Sequence, residues 1–310
     1  MSKSTGRWAP IALFIYNRPH HTRRLIAHLQ GCAGFHDSPV YVFADGPKDR
    51  RDLPAIQETR SEARRLLAGR AVFVERDTNA GVDTSVIAGV TELCERHGRV
   101  VVVEDDLIVS PYFLQFLNAG LTRYENEPRV MQVCGYMFDV PELRESKDAI
   151  ILPMASSWGW ATWKRAWDLY DPAARGWTEG LSDKQKRRRF DLDGNFDYAR
   201  MLSRQMRKAV PAWDIRWYYS LFVRDGLAVY PPHTLVLNEG FDGTGTHGRP
   251  SVTIRQAQLQ ENVAFDFPTR VAESPEKGLV FEAIGAFRSA SPLQRLRAVA
   301  KAVLRPSGGR

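Results

Sequence analysis

Along the first half of the chain, short apolar runs rich in β-branched residues alternate with stretches whose apolar side chains recur at helical spacing. Residues 11–16, 40–44 and 71–75 read as strands. Between them, residues 22–30 set Leu25, Ile26 and Leu29 on one helix face, and residues 56–67 do the same with Ile56, Ala63, Leu66 and Leu67. Residues 84–96 carry Val86, Ile87, Val90, Leu93 and Cys94 at the same period. Strands separated by amphipathic helices are the pattern of crossover connections in a mostly parallel sheet. Residues 100–103 are four valines in succession, with no polar alternation, so they predict a central strand covered on both faces.

Glu104-Asp105-Asp106 follows the valines, then the apolar step Leu107-Ile108-Val109. Ser110-Pro111 supplies an N-cap and a first-turn proline for a helix reaching about Arg123, with Phe113, Phe116, Leu117 and Leu121 inward. Residues 130–134 return to a strand. From residue 154 the pattern changes, and five of the eight tryptophans fall between Trp158 and Trp177. Such a crowd is either a dense second core or a platform for an acceptor, with Trp158, Trp160 and the later Trp217 as the candidate contacts. Residues 196–206 are helical in pattern and lead to Trp213-Asp214, which opens an aromatic helix that Gly226 closes. Residues 238–250 form a glycine-rich loop. The last twenty residues pattern as a basic amphipathic helix, Leu293, Leu296, Val299, Ala300 and Val303 opposing Arg295, Arg297 and Lys301.

A chain of 310 residues, 44% hydrophobic and 25% charged, can bury one large core or two modest ones. One α/β domain with a C-terminal extension follows. Cys32, Cys94 and Cys134 are far apart inside apolar runs and lack metal-ligand spacing, so they read as buried thiols in a reducing compartment. No segment approaches the roughly 18 uncharged apolar residues of a spanning helix, and the basic residues 1–7 precede no cleavable leader. The expectation is a cytoplasmic protein. A net charge of +7 favours acidic partners, namely nucleotide phosphates, anionic lipid or nucleic acid. No nucleic-acid recognition motif is present, which sets that partner aside. Much of the excess sits in residues 184–189 and 288–310, and the plain reading of the first run is a solvated face.

Three adjacent acids directly after an all-valine strand raise each other's pKa unless something positive neutralises them. A divalent cation does so, since Mg²⁺ and Mn²⁺ take one or two protein carboxylates and complete their shell with water and substrate phosphates. The carboxyl end of a central strand is also where open α/β sheets bind ligands. The plainer alternative is a polar turn capping the next helix.

Taken in order, several segments resemble the GT-A glycosyltransferases, and within them the N-acetylglucosaminyltransferase I family. Val101-Val102-Val103-Glu104-Asp105-Asp106-Leu107 with Pro111, Phe113 and Phe116 is similar to that family's acid motif and following helix. Ile15-Tyr16-Asn17-Arg18-Pro19 resembles its first strand and arginine turn, and Phe43-Ala44-Asp45 its second strand and aspartate. Trp213-Asp214 resembles its Trp-Asp segment, and Gly245-Thr246-His247-Gly248 its closing loop. The resemblance implies a GT-A, Rossmann-like α/β fold with a mixed, mostly parallel central sheet over residues 10–250. Residues 10–135 would bind the nucleotide-sugar and 136–250 the acceptor, between a flexible stretch 1–9 and an extension 251–310. It further implies that Asp106 ligates Mn²⁺ or Mg²⁺, with His247 as a further metal ligand. Glu104 and Asp105 would contact nucleoside and sugar, Asp45 the base of a UDP-sugar, and Arg18 would lie near the nucleotide. Gly243 and Gly245 belong to a loop closing over the diphosphate. Asp214 would be the general base of an inverting transfer to a glycan or lipid-linked saccharide.

The chain departs from that family at Asn79-Ala80-Gly81-Val82-Asp83 and at Thr246, and its tryptophan-rich stretch looks more like bacterial surface-polysaccharide transferases. Simple turn or cap roles remain open for Arg18, Asp45, Asp214 and His247. Two other functions stay in view: a nucleotidyltransferase acting on sugar phosphates, which lacks its usual glycine-rich phosphate loop here, and a non-catalytic carbohydrate-binding scaffold. The C-terminal helix would attach to anionic membrane near a lipid-linked acceptor.

Overall fold

The apolar runs of the sequence meet in one eight-stranded sheet. A computed structural model describes residues 8–207, 213–241, 259 and 264–288. The leading half runs β1 (Ile11–Ile15), α1 (Pro19–Gln30), β2 (Val40–Ala44), α2 (Leu53–Leu66), β3 (Ala71–Glu75), α3 (Val82–His97) and β4 (Arg99–Glu104). Then come β5 (Leu107–Val109), α4 (Phe113–Arg123), β6 (Val130–Cys134), β7 (Ile150–Leu152) and β8 (Trp160–Trp163). Next are α5 (Lys164–Trp167), α6 (Trp177–Gly180), α7 (Lys184–Phe190), α8 (Tyr198–Met206) and α9 (Trp213–Phe222). β9 (Leu227–Tyr230), β10 (Val236–Asn238) and α10 (Lys277–Arg288) complete the described elements.

The strand order is β3-β2-β1-β4-β8-β6-β9-β7. β3, β2, β1 and β4 are mutually parallel, and β6 is parallel to β9, while β8 and β7 run antiparallel to their neighbours. The fold is therefore α/β with a mixed, mostly parallel sheet. Val100, Val101, Val102 and Val103 are at most 1% exposed, as a strand covered on both faces requires. Close approach is visible at Gly89 of α3, where a Cβ would come within 2.8 Å of Phe14, whose ring stacks on Phe43. The three cysteines are free and buried.

Other local expectations need correction. Helix α4 starts at Phe113 behind Tyr112, two residues later than a Ser110 cap implies, and Ser110 instead closes the preceding turn by accepting from Tyr112 N and Phe113 N. After α9 the left-handed residue is Asp225, not Gly226. Gly226 is small for another reason: a Cβ there would strike Met131 Sδ and Leu221.

The tryptophan-rich stretch is core. β8 inserts between β4 and β6, and its Trp160 stacks on Trp213 at 5.4 Å beside Trp167 and Trp217. Trp160 is 0% and Trp217 1% exposed, and both rings belong to this packing. Large aromatic areas pack against one another because a central strand and the helix over it leave them no solvent. The described part of the C-terminal extension joins the same body. Phe265 and Phe267 lie on Phe116, and Val280, Phe281 and Ile284 of α10 are buried. Among the described residues, no helix is long and apolar enough to cross a membrane.

Candidate functional site

The register of β1 against β4 sets Phe14 beside Glu104, so the residues after β1 and those after β4 emerge together at the carboxyl edge of the sheet. Arg18, at the entry to α1, places Nη1 3.0 Å from Asp106 Oδ2 and 3.5 Å from Asp105 Oδ1. Tyr16 N donates to Asp105 Oδ2 at 3.3 Å. Two of the three acids thus share one guanidinium. Burial opposes the charge on Arg18, yet Asp105 and Asp106 outweigh it and raise its pKa. Burial, reinforced by the charges of Asp106, Asp105 and Asp214, pushes the Glu104 carboxyl well above the ordinary carboxylate range, and Arg18 only partly offsets this. Burial likewise pushes Asp105 up to about 6 against the pull of Arg18.

The start of the glycine-rich loop is held against this edge. β10 pairs antiparallel with β5, Asn238 opposite Leu107, and Glu239 N donates to the Asp106 carbonyl at 2.8 Å. Glu239 in turn pairs with Arg24 of α1. Gly240 is required here, since a Cβ would come within 2.3 Å of Asp106 Oδ2. Neither Glu239 nor Gly240 stood out in the sequence, although they open the loop whose later glycines did. Gly243, Gly245 and His247, with the rest of 242–258, lie outside the described residues, as does the helix expected over the last twenty.

Asp45 has its carboxylate fully engaged by the chain itself. It accepts from Gly46 N, Ala80 N and Gly81 N, each at 2.9 Å, and from Asn79 Nδ2 at 3.1 Å. These four donors use its acceptor capacity on the loop before α3, the turn-holding role left open above. The segment that departs from the resembled family is thus what Asp45 holds. Asp83, two residues beyond, was not singled out in the sequence. It accepts from Trp213 N at 3.1 Å and Gln205 Nε2 at 3.3 Å and pairs with Arg216. Burial raises its pKa against the pull of Arg216.

Asp214 therefore stands in the first turn of a helix anchored through Asp83 to the first half of the sheet. Its Oδ1 accepts from Ile215 N at 2.9 Å and its Oδ2 from Ser157 Oγ at 3.3 Å. Asp214, Ser156, Ser157, Trp158, Tyr198 and Met201 border one cleft. Of the three candidate aromatics, half-buried Trp158 and buried Trp217 line this cleft and Trp160 does not, and Trp158 packs on Tyr136 and on Phe241 at the start of the loop. The charge of Asp214 adds to the rise at Glu104.

The donor set suits a hard divalent cation. Three adjacent carboxylates meet one guanidinium that bridges only two of them, with His21 acting on Asp105 more weakly, and this leaves net negative charge on a side chain as accessible as Asp106, at 18%. Among the described residues, no group of three or more His, Cys, Asp or Glu side chains forms a cage for a metal. One or two carboxylates with substrate oxygens is the arrangement Mg²⁺ and Mn²⁺ accept.

No family model matches the chain, and no curated protein matches it. Among solved structures it is similar to glucosyl-3-phosphoglycerate synthase from Mycobacterium tuberculosis, in complex with Mn²⁺, uridine diphosphate and glucosyl-3-phosphoglycerate. The identity is 13% and the TM-score 0.33, over 52% of this chain and 58% of that one. The chain thus spans little more than half of that synthase. It is also similar to a mannosyltransferase from Pyrobaculum calidifontis in complex with GDP-Man and Mn²⁺, at 12% identity and a TM-score of 0.34, over 98% of this chain and 82% of that one. Overlap this loose assigns neither donor nor reaction.

Proposed function

We propose that the chain is a metal-dependent glycosyltransferase of GT-A type, passing a hexosyl or N-acetylhexosaminyl group from a UDP-sugar to a hydroxyl of a glycan or lipid-linked saccharide, with inversion. One observation carries this reading: three adjacent acids of incomplete charge balance stand at the carboxyl edge of the sheet, two of them bridged by Arg18, while a separate carboxylate, Asp214, borders a cleft.

Asp106 is the residue that would hold Mn²⁺ or Mg²⁺, which when bound stabilises negative charge on a departing diphosphate without proton transfer. Arg18 orients Asp106 and Asp105 and lowers the repulsion between them. Glu104, shielded at the end of β4, and Asp105, fixed by Tyr16 N, face the sugar and nucleoside. Asp214, oriented by the Ser157 hydroxyl, takes the proton of the attacking hydroxyl on the opposite side of the anomeric carbon. Such general-base action contributes about 10²- to 10⁴-fold. Trp158 lines the cleft where the acceptor sits. Asp45 shapes the site through residues 79–81. On this reading the loop bearing Gly243, Gly245 and His247 would cover the diphosphate, and His247 would be a further metal ligand.

Calorimetric titration with UDP, with and without Mn²⁺, followed by mass spectrometry of products from a nucleotide-sugar panel, tests the proposal. Metal-dependent UDP binding and a product heavier by one sugar are expected. Absence of UDP binding at saturating Mn²⁺ sinks it.

A further inference from the structure

A second cavity, of about 440 Å³, opens between α6, α7 and α8, and its charge is one-sided. Arg187, Arg200, Arg204 and Arg207 line it against a single acid, Asp197. Asp197 is already occupied, accepting from Arg200 N at 3.0 Å as the cap of α8 and lying 3.6 Å from Arg187. Among the described residues, Arg200, Arg204 and Arg207 make no ion pair. They follow one another at i, i+4 and i+7 along α8, so three guanidinium groups share one helix face. Like charges at that spacing repel and destabilise a helix, and folding alone gives no reason to gather them. A solvated basic face would be convex and wholly polar. This one is concave and has an apolar wall, Trp177 and Leu181, with the hydroxyls of Thr178 and Ser203 beside it.

A ligand that fits carries several anionic oxygens for the planar guanidinium forks and a less polar body for the tryptophan. We propose that this cavity binds a phosphate-bearing saccharide, with the phosphate held by Arg200, Arg204 and Arg207. The same helix borders the first cleft with Tyr198 and Met201. The assignment does not rest on sugar transfer, because its arginines are separate from the acids at β4.

The test uses the full chain in EDTA, so that no divalent cation helps an anion bind at Asp106. Calorimetry is run with inorganic pyrophosphate, a hexose 1-phosphate, the unphosphorylated hexose, and a lipid-diphosphate saccharide in detergent micelles. Saturable one-to-one binding of the phosphorylated probes and none of the plain hexose is expected, and the tighter of the soluble and lipid-borne ligands identifies the source. The R200Q/R204Q variant should bind at least about tenfold more weakly. K184Q/R188Q removes as much charge from α7 outside the cavity and should bind as the parent does. Manganese-dependent UDP binding should survive in R200Q/R204Q, which separates failure here from failure at the acid edge. Equal weakening in both double variants, or no saturable binding of either phosphorylated probe by the parent, overturns the proposal.

Discussion

β4 and β8 are hydrogen-bonded neighbours, Val102 opposite Trp160, yet they treat their most conspicuous side chains in opposite ways. β4 ends in three acids pressed together at the sheet's edge with one bridging arginine. β8 buries Trp160 among other indoles, and Trp160 is 0% exposed. The conspicuous residue types therefore mean different things. Aromatic density here is packing. Charge density at a strand end has no packing rationale, because burying like charges is unfavourable until a ligand neutralises them. On the proposal made above the acid edge is prepared for a partner, and the tryptophan cluster is core.

The sharpest division comes from Asp106→Ala, which should abolish metal-dependent UDP binding in calorimetry while leaving the melting temperature unchanged or raised, since one repelling charge is gone. A clear fall in stability would mean that the acids are structural. Next, Asp214→Asn should keep donor binding but lower turnover by about 10²- to 10⁴-fold; unchanged turnover removes Asp214 from the chemistry. Trp160→Ala tests the other side of the contrast, with an expected loss of about 3–5 kcal/mol in chemical denaturation because a large buried ring leaves a cavity. Trp158→Ala, at the cleft, should alter acceptor KM far more than stability.

Asp83→Ala probes the tie between the halves. It removes the acceptor of Trp213 N and the carboxylate partner of Arg216, with an expected loss of about 1–3 kcal/mol. Turnover should fall as α9 shifts, while UDP and Mn²⁺ still bind at β4. The smallest effect concerns pH. Burial lifts Asp105 from 3.8 to about 6, so the folded state holds a proton that the unfolded chain releases earlier. That contribution is complete at low pH and is lost as pH rises from about 4 to about 6. Mn²⁺ then compensates the exposed charge, and its stabilisation should be larger at about pH 7.5 than at about pH 5 by a few degrees in thermal melts. An equal or larger Mn²⁺ effect at the lower pH contradicts the assignment.

Much of the first half was legible in the sequence because its signals are local. The β1 to β4 strands and intervening helices each carry their period within a dozen or so residues, and the predicted boundaries fall within a few residues of the observed ones. β7, β8, β9 and β10 were not legible. Segments as short as Trp160-Ala161-Thr162-Trp163 have no period to read, and their strand state comes from partners far away in sequence. At the candidate site, Glu104, Asp105, Asp106, Arg18 and Asp214 could be named from residue type and resemblance. Asp83, Glu239 and Gly240 could not, because a carboxylate that anchors a distant helix, or a glycine that makes room for one, has no local mark.

The sequence alone determined that a valine strand must be central and that three acids must follow it, because hydrophobic period and adjacency are properties of the chain itself. Only the tertiary structure decided that Arg18 bridges two of those acids, that Asp45 holds residues 79–81, and that Trp160 is core while Trp158 reaches the cleft. The physical reason is that burial and charge compensation depend on which groups meet in space. Here those groups lie as much as 215 residues apart, as Arg24 and Glu239 do.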